Sequence, residues 1–282
     1  MNHPGGQNNA AGSGSALRRI GAMILRYAYL LRASRLRVLD MIYWPAVQLL
    51  TWGFLQTYLL RAGALEAPGG GAQAAGTLIG AILLWDIMLR GQQGFCFSFI
   101  EEMWSRNLPN ILMSPLRPVE FIAALVVMSL IRLAVGVGPV TILAIVFFGF
   151  NVWGLGVAFA AFFVVLMLFA WSIGLLVSGA LLRLGAGAEN LIWSLMFIVQ
   201  PIGAVYYPVS TLPAWLQPIS WALPPTYVFE GLRGVLIRHE IRWDLLAQGF
   251  AIDVAMFAAA AMAFGFFLRS ARRAGVLLQT GE

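Results

Sequence analysis

Four charged side chains, Asp86, Arg90, Arg132 and Asp253, lie inside long apolar runs of the chain. A charge in hydrocarbon is costly unless it is paired or reached by water. Asp86 and Arg90 are four residues apart, so on a helix they share a face in the favourable acid-first order. Arg132 and Asp253 are positioned to pair between two different helices. Such residues form either a polar conduit that touches a substrate or neutralised glue between helices, and the spacing is compatible with both.

A second constellation runs from Ser98 to Glu120, SFIEEMWSRNLPNILMSPLRPVE. Three carboxylates (Glu101, Glu102, Glu120), two arginines (Arg106, Arg117) and three prolines (Pro109, Pro115, Pro118) stand there between two apolar runs. Backbone and charges of this kind have no partners in hydrocarbon, so the segment belongs at a membrane surface. Phe97 to Leu108 suits a short helix with Glu102 and Arg106 paired at four apart, ended or bent by Pro109. A further turn is expected at Ser114-Pro115, and Pro118 suits the start of the next helix. A third segment, YYPVSTLPAWLQPISWALPPTYVFEGLRGVL from Tyr206, is too apolar for a free loop and too rich in proline for a spanning helix. Short helices dipping into one leaflet and returning, anchored by Trp and Tyr, fit it best.

Other chemistries are excluded by what is missing. All 18 basic residues are arginine, so a phosphate-binding loop of the Gly-x-x-x-x-Gly-Lys type is absent. Any ATP-driven action must draw on another subunit's ATPase. One cysteine, Cys96, allows no internal disulfide and no Cys-rich metal site. The histidines, His3 and His239, are far apart, and neither a metal cluster nor a nucleophilic triad can be assembled from them. The net charge of +6 would suggest nucleic acid in a soluble protein. Here the arginines cluster beside apolar runs, which reads as membrane topology and contact with anionic lipid, with no nucleic acid.

The elements that must hold these residues are those of an all-α integral membrane protein. Sixty per cent of residues are hydrophobic and 11% charged, against roughly 25% charged in a soluble domain. The mean hydropathy is +0.82. Residues 1–16, Gly/Asn/Ser-rich, are expected to be disordered and are not a signal peptide. Residues 17–37 read as an amphipathic helix lying along the headgroups, with its arginines snorkelling. Residues 38–268 hold six expected transmembrane helices, about Val38–Leu60, Gly76–Phe97, Phe121–Phe148, Leu155–Leu182, Asn190–Tyr206 and Leu245–Leu268. The segment before the sixth is expected to form a short re-entrant outer helical hairpin, and residues 269–282 a C-terminal tail. With a cytoplasmic N-terminus, Arg18, Arg19, Arg26, Arg32, Arg35, Arg37, Arg106, Arg117, Arg183, Arg269, Arg272 and Arg273 lie inside. Arg61, Arg233, Arg238 and Arg242 lie outside. That asymmetry places both termini in the cytoplasm.

Six spans after an amphipathic helix, the inner segment ending LMSPLRPVE, and the YPVSTLPAWLQPIS…LPPTYVFEGLR loop together resemble the ABC type-2 export permeases. These are the membrane subunits of ATP-binding-cassette exporters. The family's R-x-x-G-T-L-E-x-L-L-x-T-P-L-like run is matched through Leu108, Ile111, Leu112, Ser114, Pro115 and Leu116. The chain departs from it at Arg106 and Pro109. The resemblance implies a multi-pass protein of a bacterial plasma (inner) membrane and a dimer of permease subunits among membrane lipids. It also implies a cytoplasmic ATPase that brings ATP and Mg, with no cofactor in this chain. It implies export of a hydrophobic, lipid-linked or glycan-type substrate. By the same resemblance, Glu101, Glu102, Arg106, Asn107, Ser114 and Pro115 would contact the ATPase. Tyr207, Pro208, Leu212, Pro213, Trp215 and Glu230 would form an outer gate. The alternative is an ATP-independent secondary transporter or channel working through the intramembrane Asp and Arg residues. It is disfavoured by the lack of an inverted repeat between the chain's halves.

Overall fold

The computed structural model describes residues 8–62 and 71–274, and among these the chain is helical throughout, without strands. Ten α-helices follow in order: α1 (Asn8–Ala33), α2 (Arg35–Arg61), α3 (Gly71–Trp104), α4 (Leu108–Met113), α5 (Pro118–Phe148), α6 (Val157–Leu184), α7 (Leu191–Ile202), α8 (Gln217–Trp221), α9 (Pro224–Arg238) and α10 (Trp243–Ala274). Helix starts and stops follow local chemistry. Ser34 interrupts the basic leader, and its hydroxyl accepts the Arg37 amide at the start of α2. Pro118 opens α5, where its missing N–H costs nothing, and the Glu120 carboxylate accepts the Arg117 amide at 3.0 Å. Gly149, at φ 64°, closes the same helix in a left-handed turn.

α3 is the axis of the bundle. It packs against α2, α5, α6 and α9, and nearly every residue from Ile79 to Ile100 is buried, polar ones included. A helix enclosed on all sides can carry Asp86, Gln92, Gln93 and Ser98 only because its neighbours exclude lipid. Close approach is set by small residues. A Cβ on Gly94 would sit 3.0 Å from the Ser129 Cα of α5, and one on Gly136 would sit 3.0 Å from the Met41 carbonyl oxygen of α2. α9 is wedged among α3, α6 and α10, and α6 packs along α10.

Among the described residues four helices are long and apolar enough to cross a membrane: α2, α5, α6 and the Trp243–Ala271 part of α10. They match the first, third, fourth and sixth expected spans. The expected second span lies within α3, which runs 34 residues because the helix continues past Phe97 to Trp104. The expected fifth span is cut to the 12 residues of α7. At 1.5 Å per residue that is roughly 18 Å, short of a hydrocarbon core of roughly 30 Å. The expected hairpin segment contains a turn at Val209–Thr211, then α8 and α9.

Three local expectations are corrected. The amphipathic helix begins at Asn8, inside the stretch expected to be disordered, and it ends at Ala33, so Arg35 and Arg37 belong to α2. Phe97 to Trp104 forms the last turns of α3 rather than a separate helix. Pro109 does not end a helix but sits in the first turn of α4, after a reversal in which Arg106 adopts φ 51°. Residues 1–7, most of the 61–75 loop and residues 275–282 of the expected tail lie outside the described residues.

Candidate functional site

On α1 the positions Arg19, Met23, Arg26, Tyr27 and Leu31 fall at helical spacing on one face. Tyr27 and Leu31 are buried against the bundle, and Arg19 and Arg26, which precede them on that face, reach carboxylates of α5 and α3. Arg19 grips Glu120 with two bonds, Nε to Oε2 at 2.8 Å and Nη2 to Oε1 at 2.5 Å. Arg26 Nη1 donates to both oxygens of Glu102, at 2.6 and 2.7 Å, and Asn107 Nδ2 adds a third bond at 2.8 Å. Glu101 is shared by Arg37 of α2 at 2.6 Å and Arg132 of α5 at 2.8 Å. These contacts fasten α1 and the start of α2 across the end of α3 and α5 that carries α4. Electrostatics follow from the contacts. The Glu120 carboxylate bonded to it raises the Arg19 guanidinium above its ordinary value. Burial, and then the negative charge of Glu102, drives the Tyr27 phenol upward, so it stays protonated at any working pH.

The six residues expected to meet an ATPase are therefore divided. Glu101 is engaged by two arginines and Glu102 is 0% exposed, so both carboxylates are committed to interior pairs. The expected Glu102–Arg106 pair does not form, because the reversal after α3 carries Arg106 away while Arg26 takes its place. Asn107 is half-buried, whereas Arg106, Ser114 and Pro115 are exposed. Between them, α4 turns Leu108 and Ile111 into an apolar seat made by Phe99, Phe121, Phe264 and Leu268. Met113 at the end of α4, 77% exposed, and Trp104 at the end of α3, 55% exposed, face outward. The result is an apolar and basic tip on a firmly anchored base.

The four intramembrane charges are not brought together. Arg132 pairs with Glu101, not with Asp253 as expected, because its long side chain reaches the carboxylate of the adjacent α3. Arg90 donates to the Gln93 side-chain oxygen at 2.9 Å and forms no ion pair with Asp86. Asp86 and Asp253 are fully buried, and neither carboxylate has a hydrogen-bond partner among the described residues.

At the opposite end of the bundle, Arg233 of α9 organises the segment leaving α7. Its Nη2 donates to the carbonyls of Ala204, Val205 and Tyr207, the last at 2.6 Å. Nη1 lies 3.2 Å from Glu230, whose Oε1 in turn accepts the Val209 amide at 2.8 Å. The chain folds back there through Ala204 at φ 50°. Of the expected gate residues, Glu230 is part of this knot and Leu212 packs with Ala204 and Val209. The Tyr207 hydroxyl donates to the Pro201 carbonyl. Pro208, Pro213 and Trp215 are exposed. Arg233 was not singled out from the sequence, although its i,i+3 spacing from Glu230 carries the signal.

A search of curated proteins finds no match. The family model of the ABC-2 type transporter matches residues 27–237, from the buried Tyr27 of α1 through the knot on α9. Proteins of that family are transport permeases that act with an ATP-binding-cassette subunit. With three quarters of its length inside the match, this chain belongs to the ABC-2 type transporter family.

Proposed function

We propose that the chain is the permease subunit of an exporter, driven by a separate ATPase that docks on the exposed tip formed by Trp104, Arg106, Met113, Ser114 and Pro115. The observation that carries this reading is the clamp behind the tip. α1, α3 and α5 are ion-paired to one another directly beneath it, and α3 continues from there as a buried rod through the whole bundle. A push on the tip is then delivered to the packed core instead of being absorbed in a loose loop. In this reading the α4 end and both termini are cytoplasmic, in keeping with the arginine asymmetry, and the membrane is a bacterial inner membrane. α3, and α7 with the chain to Tyr206, complete six crossings. α8 and α9 form the re-entrant hairpin, with the Arg233–Glu230 knot at its outer base. Two copies assemble in the lipid, and the partner supplies ATP and Mg. The cargo is a hydrophobic, lipid-linked or glycan-type molecule moved outward.

The test is co-expression with a candidate ATP-binding-cassette ATPase subunit, followed by co-purification and ATPase assay. Arg106→Glu with Met113→Glu is expected to abolish co-purification while leaving the permease's melting temperature unchanged. Undiminished co-purification would remove the docking assignment.

One observation favours a second reading, an ATP-independent transporter or channel: Asp86 and Asp253 are buried without hydrogen-bond partners among the described residues. Substrate movement in vesicles lacking the ATPase, lost in Asp86→Asn, would establish it.

A further inference from the structure

Between α2, α3 and α5, with Trp193 of α7 at its edge, lies a cavity of about 210 Å³. It extends along α3 from Glu101 inward to Arg90, a rise of roughly 16 Å. Its charged lining consists of Arg37, Arg90 and Arg132 against Asp40 and Glu101, an excess of one positive charge. Glu101 is already consumed, because Arg37 and Arg132 both hold it. Among the described residues Arg90 has only the neutral Gln93 oxygen as a hydrogen-bond acceptor. Among the same residues the Nε of Arg90 and the Nε of Arg132 are buried without acceptors, and Arg132 is only 4% exposed. Asp86 and Asp40 act on Arg90 through space, but among the described residues neither makes a hydrogen bond to it, and Asp86 is not part of the lining. A buried guanidinium with unmade bonds is unfavourable, and an oxyanion is the ligand that satisfies it.

We propose that this cavity binds the phosphate group of an anionic lipid or lipid-linked phosphate, with Arg90 and Arg132 as the principal donors. Guanidinium forks match the geometry of phosphate oxygens better than any other side chain. Basic pockets between membrane helices on the cytoplasmic side are suited to anionic headgroups. The volume lies below the range of roughly 300–1,000 Å³ that encloses a whole drug-sized ligand, so a headgroup enters and the rest of the lipid stays outside. Trp104 and Trp193, both partly exposed on the lining, supply the amphipathic surface that a glycerol or prenyl stem would lie against. The inference rests on the membrane orientation proposed above, and it names the chemical class of molecule that the permease takes up. It does not depend on the ATPase.

The test uses the purified full-length chain in zwitterionic detergent, without any ATPase. Trp emission and thermal melting are followed during titration with dihexanoyl phosphatidic acid, inorganic pyrophosphate and dihexanoyl phosphatidylcholine. Saturable binding of phosphatidic acid is expected, weakened on the order of tenfold by Arg90→Gln. Asp40→Asn, at an exposed position that opposes the arginines, is expected to tighten it. Phosphatidic acid binding without pyrophosphate binding identifies a lipid headgroup as the source; equal binding of pyrophosphate identifies free phosphate, and either result upholds the site. Binding of neither anion, equal affinity in Arg90→Gln, or equal binding of phosphatidylcholine would overturn it. Because no ATPase is present, these results stand apart from the docking experiment.

Discussion

Arg26 Nη1 lies 2.6 and 2.7 Å from the two carboxylate oxygens of Glu102, joining helices that are 76 residues apart in the chain. Glu102 is wholly buried while the Arg26 side chain keeps about a third of its surface in contact with the surroundings. The pair therefore works as a peg: the acid is committed to the interior, and the arginine brings α1 to it.

Removing only the arginine strands a buried carboxylate, a change that costs about 3 kcal/mol at a site open on one side. Arg26→Leu is expected to lower the melting temperature in detergent and to expose α1 to protease. Arg26→Leu combined with Glu102→Leu is expected to recover most of the lost stability, since no unpaired charge remains. A double variant less stable than the single one would show that the pair itself, not the stranded acid, sets the cost.

α3 and α5 touch at Gly94, where an added Cβ would meet backbone at 3.0 Å. Backbone cannot swing aside, so Gly94→Val is expected to destabilise by about 1–3 kcal/mol. Gly138, where nothing lies within 4 Å, is the control, and Gly138→Ala is expected not to lower the melting temperature.

Arg233 satisfies three carbonyls and Glu230 at once. Arg233→Met is expected to cost at least about 2 kcal/mol locally. Hydrogen exchange across residues 204–212 should rise while the α4 end stays protected. Unchanged exchange there would mean that the segment is held by its apolar contacts alone.

The exposed tip gives a prediction separate from its partner. Met113→Ser and Trp104→Ser remove apolar side chains that touch little, so the permease alone is expected to melt normally. ATPase activity of the assembled complex is expected to lose its coupling to transport, measured as ATP hydrolysed per molecule moved.

The membrane class and the approximate position of four apolar helices long enough to span were readable because they depend on local composition and period. The length of an apolar run and the density of charge are properties of neighbours in sequence. α3 was harder, since enclosure by four other helices lets it carry Asp86, Gln92 and Gln93 and blurs the hydropathy that would define its ends. Pro109 was misplaced because proline ends one helix and begins another equally well, and only the reversal at Arg106 decides between them. The Glu102–Arg106 pairing was misread for a single reason. An i,i+4 spacing makes it possible, but a carboxylate binds whichever guanidinium packing delivers, and packing delivered Arg26 to Glu102 and Arg37 and Arg132 to Glu101 from other helices.

By itself the sequence determined that this is a membrane protein and that the given chain has no lysine with which to hold a nucleotide's phosphates. Those are consequences of transfer free energy and residue chemistry, which act wherever the chain goes. Only the tertiary structure decided that Glu101 and Glu102 pair with arginines of other helices, that Trp104 at the end of α3 and Met113 of α4 are left exposed, and that Arg90 makes its hydrogen bond to the neutral Gln93. Each of these depends on which helices come within a few ångströms of one another, and that is fixed by close packing at residues such as Gly94 and Gly136 rather than by spacing along the chain.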